Sequence, residues 1–188
     1  MVTILIGKSG CGKSSIESHF ERVISFTTRP PRKGEVSGVD YYFYSHEEFE
    51  ELLEKGEILE HHTYSNGFTY GVTKKEAKRI KSLPHVVAVM NGEGATNMKK
   101  ILEEEGIAVR VVWVHTDQDI RVKRLHERSA ETGETLSELE ERIEESHRDG
   151  EIALCDAILS NNGTVEEAVS ELEALMSWPS CDVTETRK

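Results

Sequence analysis

Eight consecutive residues near the N-terminus, Gly7-Lys8-Ser9-Gly10-Cys11-Gly12-Lys13-Ser14, satisfy the pattern G-x-x-x-x-G-K-[ST]. Glycines at these positions let successive backbone N–H groups turn into one concavity. A helix that starts there adds the positive end of its dipole, so the stretch is suited to cradling phosphate oxygens with the amides of Ser9 to Ser15. In such loops the lysine, here Lys13, bridges β- and γ-phosphates, and the hydroxyl at the position of Ser14 ligates Mg²⁺. The run Val2–Ile6 before the loop is apolar and β-branched, and residues 15–20 after it suit a helix. That strand, loop, helix context separates a phosphate loop from a chance glycine-rich turn.

Two groups of arginines suit the same chemistry. Arg29 and Arg32 flank Pro30-Pro31, which stiffens the backbone between two guanidinium forks. A fork grips phosphate bidentately where a lysine offers only a point charge. Alone, the pair reads equally well as an exposed basic turn; with the phosphate loop upstream it reads as the grip on a second, phosphorylated substrate. Arg121, Arg124 and Arg128 fall at i, i+3 and i+7, on one helical face. Such spacing is common on solvated faces, but three adjacent like charges repel, and an anion among them relieves the repulsion. Arg142 and Arg148, in the charged segment 129–150, could join them on closure. Phosphoryl transfer is catalysed mainly by positioning and by cations around the moving group's oxygens, so these are the residue types it needs.

The 188 residues fit one domain with a real core, and 37% apolar with 31% charged residues is ordinary for a soluble protein. No apolar run approaches the about 20 residues that span a bilayer, and no signal peptide precedes the first strand, so a cytoplasmic protein without membrane contact is expected. A formal charge of −12 argues against a nucleic-acid surface. Cys11, Cys155 and Cys181 are scattered, and reduced thiols are expected.

The elements that must position these groups alternate. After the first strand and helix, residues 23–26 and 40–44 read as short strands. Ser45 with Glu48 forms a capping box for a helix stopped by Gly56, and Thr73 with Glu76 starts another. A buried strand over 86–90, a helix over 95–105 ended by Gly106, and a strand over 108–114 follow; Thr116 then opens the arginine-bearing helix. A last short strand spans 157–160, and Thr164 with Glu167 caps a one-sided packing helix bearing Val165, Ala168, Val169, Leu172, Leu175 and Met176. This alternation predicts an α/β fold with a parallel sheet between helical layers and ligands at the carboxyl ends of the strands. Residues 27–72 and 129–150 read as excursions from that core, and the polar tail 179–188 is expected to fray.

The stretch Ser25-Phe26-Thr27-Thr28-Arg29-Pro30-Pro31-Arg32-Lys33-Gly34-Glu35-Val36-Ser37-Gly38-Val39-Asp40-Tyr41-Tyr42-Phe43 resembles the guanylate-binding signature of the guanylate kinases. The register continues through Glu47-Glu48-Phe49, Gly56-Glu57-Ile58-Leu59-Glu60 and Tyr70-Gly71. The resemblance implies a three-layer P-loop NTPase core (residues 1–24, 77–128 and 151–178), a small mixed α/β GMP-binding region (25–76) and a helical lid (129–150). By matching position, Arg29, Arg32, Tyr41 and Tyr70 would hold the GMP phosphate, and Ser25 and Glu60 would read guanine. A carboxylate can accept from both N1–H and the 2-amino group of guanine, a donor pair that adenine lacks. Arg124, Arg128 and Arg142 fall where the family keeps lid arginines, and Asn161 where it contacts the ATP base.

The chain also departs from the family. After the strand over 86–90 the family usually places two acids, where this chain has Val89 and Asn91. Asn91 and Glu93 are the polar residues left beside the substrate, and Glu93 could partly compensate. Val72 replaces a small hydroxyl residue, the first helix must be clipped, and the loop over 65–69 is slightly long. His61 and His62 invite a metal reading, but adjacent strand residues point to opposite faces, so they are taken as structural. The expected reaction is transfer of the ATP γ-phosphoryl, with Mg²⁺, to GMP or dGMP, with Lys13, Arg29, Arg32, Arg124, Arg128 and Arg142 bringing two polyanions together. A non-catalytic guanylate-kinase-like binding module, or a kinase acting on another phosphorylated acceptor, are the alternatives. Either a monomer or a homodimer fits the charge.

Overall fold

The computed structural model describes residues 1–32, 34–63, 67–132 and 155–178. Strand β1 (Val2–Ile6) is buried along its whole length and lies at the centre of a four-stranded sheet. It pairs in parallel with β6 (Val86–Val89) and β7 (Val109–His115), and β8 (Ala157–Ser160) extends the sheet beyond β7 in the order β6-β1-β7-β8. A parallel sheet buried on both faces favours apolar residues at consecutive positions, and β1 supplies them at every position except Thr3. Its Val2, Ile4 and Ile6 pack with Ile80, Ala95, Met98 and Leu102, whereas Leu5 packs with Ile16, Ala168, Leu172 and Met176. Helices α3 (Lys74–Lys81) and α4 (Gly92–Glu104) thus cover one face, and α1 (Lys13–Glu17) and α6 (Val165–Ser177) the other. This is the predicted three-layer arrangement.

Because all four strands run the same way, their carboxyl ends share one edge. The segments that leave that edge begin at Gly7, Met90, Thr116 and Asn161, and these bring the candidate groups together.

A second sheet is mixed. Its order is β3-β2-β5-β4, with β2 (Phe26–Thr27) parallel to β3 (Tyr42–Phe43) and antiparallel to β5 (Thr69–Thr73), which is antiparallel to β4 (Ile58–Thr63). Helix α2 (His46–Glu54) has the predicted capping box: Ser45 Oγ accepts from Glu48 N, and the Glu48 carboxylate from Ser45 N. The same device starts α6 at Thr164 and Glu167.

Four boundaries differ from the sequence reading. The strand expected over 23–26 is displaced to Phe26–Thr27, because its partners are Tyr70 and Gly71; Val23 instead donates to the Val87 carbonyl. The strand expected over 40–44 contracts to two residues. Helix α4 starts three residues early, because the Asn91 side chain accepts from Gly94 N at 2.7 Å and caps it. Thr116 does not open α5 (Gln118–Thr132): it is buried, with its hydroxyl committed elsewhere. Helix α1 is short, as the clipped first helix required.

Candidate active site

The backbone leaves β1 through Gly7, Gly10 and Gly12, whose φ angles are 146°, 81° and 90°. Gly12 caps α1 in the left-handed region and lies directly against the Asn161 amide, so a side chain there would meet both strain and a clash. Lys13 Nζ donates to the Gly7 carbonyl at 2.7 Å and the Lys8 carbonyl at 3.1 Å. The ammonium is laid back on the backbone of its own loop. Ser14 and Ser15 are exposed on the first turn of α1.

What holds the loop comes from far along the chain. Cys11 is fully buried, and its carbonyl accepts from Asn161 Nδ2 at 2.8 Å. The Thr116 hydroxyl lies 3.2 Å from the same carbonyl and 3.1 Å from that of Asn161, one proton between two acceptors. Arg124 then fixes the turn after β8, donating to the carbonyls of Asn161 at 3.1 Å and Gly163 at 3.3 Å. Asn161 Oδ1 is buried and accepts no hydrogen bond among the described residues.

The arginine face predicted on α5 is graded. Arg121 is 2% exposed and burial lowers its pKa, Arg124 is half-buried and Arg128 is exposed. Arg142 and Arg148 lie outside the described residues, as do Lys33, most of the expected lid and the tail.

The second cation site is built from side chains. Arg29, just after β2, is 9% exposed. Its Nε donates to the Tyr70 hydroxyl at 3.3 Å and its Nη1 to the Pro30 carbonyl at 2.6 Å. The guanidinium carbon lies 5.8 Å from the ring centres of both Tyr41 and Phe43, and the rings of Tyr41 and Tyr70 meet edge to face. Glu35 closes the cage with a two-pronged pair, Oε2 to Nη1 at 3.0 Å and Oε1 to Nη2 at 2.9 Å. The same carboxylate accepts from Arg32 N at 2.6 Å, while the Arg32 side chain is exposed. Burial by itself would raise the Glu35 carboxyl, but the bonds from Arg29 and the Arg32 amide outweigh it and hold it below the usual range. Burial pushes the Tyr41 phenol up.

Glu60 lies on β4 beside β5, paired with Val72, two residues along from Tyr70. Burial raises its carboxyl to about 7. Ser25 is half-buried, and its carbonyl accepts from Tyr42 N at 2.9 Å. His61 meets the Phe49 ring edge at 5.4 Å, whereas His62 lies 3.7 Å from Glu93, so the two histidines do serve different neighbours. Glu93 is thereby placed toward β4.

Among the described residues no three His, Cys, Asp or Glu side chains are grouped to hold a metal ion. A hydroxyl at Ser14, with phosphate oxygens and water, is nonetheless a donor set that Mg²⁺ accepts, since that ion keeps much of its hydration. The residues fit an ion that arrives with a triphosphate.

The structure thus brings Arg29, Tyr41 and Tyr70 into one cage, and Lys13, Asn161 and Arg124 into contact with one loop. Three participants had escaped the sequence reading. Glu35 stood within the quoted signature, with an acid six residues after Arg29 as its signal. Thr116 had none. Glu17, on α1, accepts a hydrogen bond from the Val89 amide, and burial, partly offset by Arg22 and that bond, raises it to about 7.

A family model described as guanylate kinase matches residues 1–178. The chain is similar to a guanylate kinase of Chlamydia pneumoniae, 37% identical over 147 residues that make up 73% of this chain and 68% of that protein. It is similar along almost its whole length to one of Prochlorococcus marinus, 33% identical over 93% of this chain and 95% of that protein. Among solved structures it resembles the guanylate kinase from Anaplasma phagocytophilum, with a TM-score of 0.65 and 25% identity over 94% of this chain and 84% of that one.

Proposed function

The chain belongs to the guanylate kinase family of nucleoside monophosphate kinases, and from that premise we propose that it transfers the γ-phosphoryl group of ATP to GMP or dGMP. The observation that carries this reading is the presence of two separate phosphate grips, an intact phosphate loop ending in Lys13 and the Arg29 fork within its cage of Tyr41, Phe43 and Tyr70.

In this reading the loop amides and Lys13 take the ATP phosphates, the ammonium exchanging the Gly7 and Lys8 carbonyls for phosphate oxygens. Asn161, with an unpaired buried Oδ1, offers an acceptor beside the donor base. Mg²⁺, held by Ser14 and the nucleotide, would neutralise charge on the β- and γ-oxygens. Arg29 and Arg32 grip the acceptor phosphate with the Tyr41 and Tyr70 hydroxyls, and Ser25 and Glu60 read guanine, with Asn91 and Glu93 at the margin. An acceptor phosphate oxygen attacks the γ-phosphorus in line as the bond to the β–γ bridging oxygen breaks; being already anionic, it needs no strong general base. Arg124, Arg128 and Arg142 add charge around the transferring group, and closure of 129–150 excludes water so that ATP is not hydrolysed.

The test is ADP release from MgATP with GMP, dGMP, AMP, CMP and UMP as acceptors. Turnover with GMP or dGMP alone is expected. No turnover with either, while ATP still binds, would overturn the reading in favour of another acceptor or a binding role.

A further inference from the structure

The Arg29 fork is occupied in the empty protein. Its two Nη atoms face the two Glu35 oxygens at 3.0 and 2.9 Å, and the same carboxylate reaches the Arg32 amide. This is the shape of a phosphate grip: a planar anion received bidentately by one arginine and by the backbone of the turn that carries the next. Nε and one further Nη1 N–H are spent on Tyr70 and Pro30. With Glu35 in place the guanidinium therefore has only one of its five N–H groups to offer a newcomer. A phosphate dianion seated on the same fork would also stand against a carboxylate at contact distance, an arrangement of like charges that disfavours one of them.

We propose that Glu35 is an intramolecular stand-in for the acceptor's phosphate, one that keeps Arg29 paired and aimed in the empty site and is displaced when the nucleotide monophosphate binds. A guanidinium that is 9% exposed among aromatic rings cannot be left without a counter-anion cheaply. Glu35 supplies one from the turn after Gly34, where an added side chain would meet open space and where the Glu35 side chain is itself 19% exposed, so the carboxylate has solvent to withdraw to. The binding-competent cage is then the fraction in which Glu35 has let go, and apparent affinity is reduced by that fraction. Glu35 is a positioning residue: it acts on the acceptor through Arg29.

The inference rests on the reading of Arg29 as the acceptor-phosphate grip. The test is calorimetric binding of GMP and of guanosine, which lacks the phosphate, to the wild-type protein, Glu35→Gln and Glu35→Asp. Glu35→Gln keeps the shape and removes the charge, so GMP should bind about five- to tenfold tighter with guanosine unchanged. Glu35→Asp, which keeps the charge, should remain within about twofold of wild type for both ligands. Thermal melting gives a second readout: empty Glu35→Gln should melt lower than wild type, and saturating GMP should raise its melting point by more. Unchanged or weaker GMP binding by Glu35→Gln, or parallel changes for GMP and guanosine, would overturn the proposal. Failure of the wild-type protein to bind GMP at all would instead remove the reading of the site on which it rests.

Discussion

The phosphate loop and the arginine cage are the two sites proposed to receive phosphate, but one is made of backbone and the other of side chains. In the loop, glycine conformations aim amides, and the carbonyls left behind are tied by Asn161 and Thr116 from remote strands. Its Lys13 ammonium rests on backbone carbonyls rather than on a counter-anion. The cage carries a nearly buried cation just after a two-residue strand, with rings around it and Glu35 against it. A backbone site can stand open at little cost; a buried-cation site has to be kept paired. In the proposed reaction both sides would then trade partners, Lys13 leaving backbone carbonyls and Arg29 leaving a carboxylate.

The widest break in that comparison comes from Lys13→Ala, which removes the ammonium that lies on the loop's own carbonyls. It should lower kcat by at least about a thousandfold in the ADP-release assay, with the fold and GMP affinity kept. Next is Arg29→Lys, which keeps the charge and loses the fork. The KM for GMP should rise about ten- to a hundredfold while that for ATP stays put, and equal changes in both would mean the two grips are not independent.

Glu60 sharpens the comparison by pH. Burial raises its carboxyl to about 7, and in the proposed site only the ionised form can accept two hydrogen bonds from guanine. Guanosine binding should therefore strengthen as pH rises from 6 to 8 and then level off; Glu60→Gln should flatten that rise and weaken binding about tenfold at pH 8. The smallest effect is on stability. Glu17 also titrates at about 7, above the 4.5 of a free carboxyl, so the folded state holds its proton more tightly than the unfolded one. Stability is then lost as pH rises from 4.5 through about 7. Glu17→Gln should flatten that decline, raising the melting point by about 2–4 °C at pH 8 and leaving it unchanged at pH 4.

What could be read from the sequence was what is decided locally. The capping boxes at Ser45 and Thr164 and the strand at Ala157–Ser160 stand as expected, because a cap or a short apolar run is set by residues within one turn of each other. The loop at Gly7 was legible for the same reason, whereas the proximity of Arg29, Tyr41 and Tyr70 was legible only through the resemblance to a family signature. Misplaced features depended on distant partners. Phe26–Thr27 is a strand because Tyr70 and Gly71 lie beside it, and Thr116 looks like a helix start until Cys11 and Asn161 are seen to share its proton. The Asn91 cap on α4 is local, but the sequence reading had started that helix three residues later and did not find it. Glu35 was quoted without a role, since sequence does not tell whether an acid near an arginine points at it.

The tie between Cys11 and Asn161 also orders events during synthesis. The loop leaves the ribosome well before the two side chains that hold its buried carbonyl, which lie 105 and 150 residues later. Until β8 has emerged and docked, the Asn161 amide is missing from the Cys11 carbonyl and the Thr116 hydroxyl alone can reach it. A ribosome-stalled chain ending before residue 155 should accordingly fail to retain ATP although its entire G-x-x-x-x-G-K-S motif is exposed.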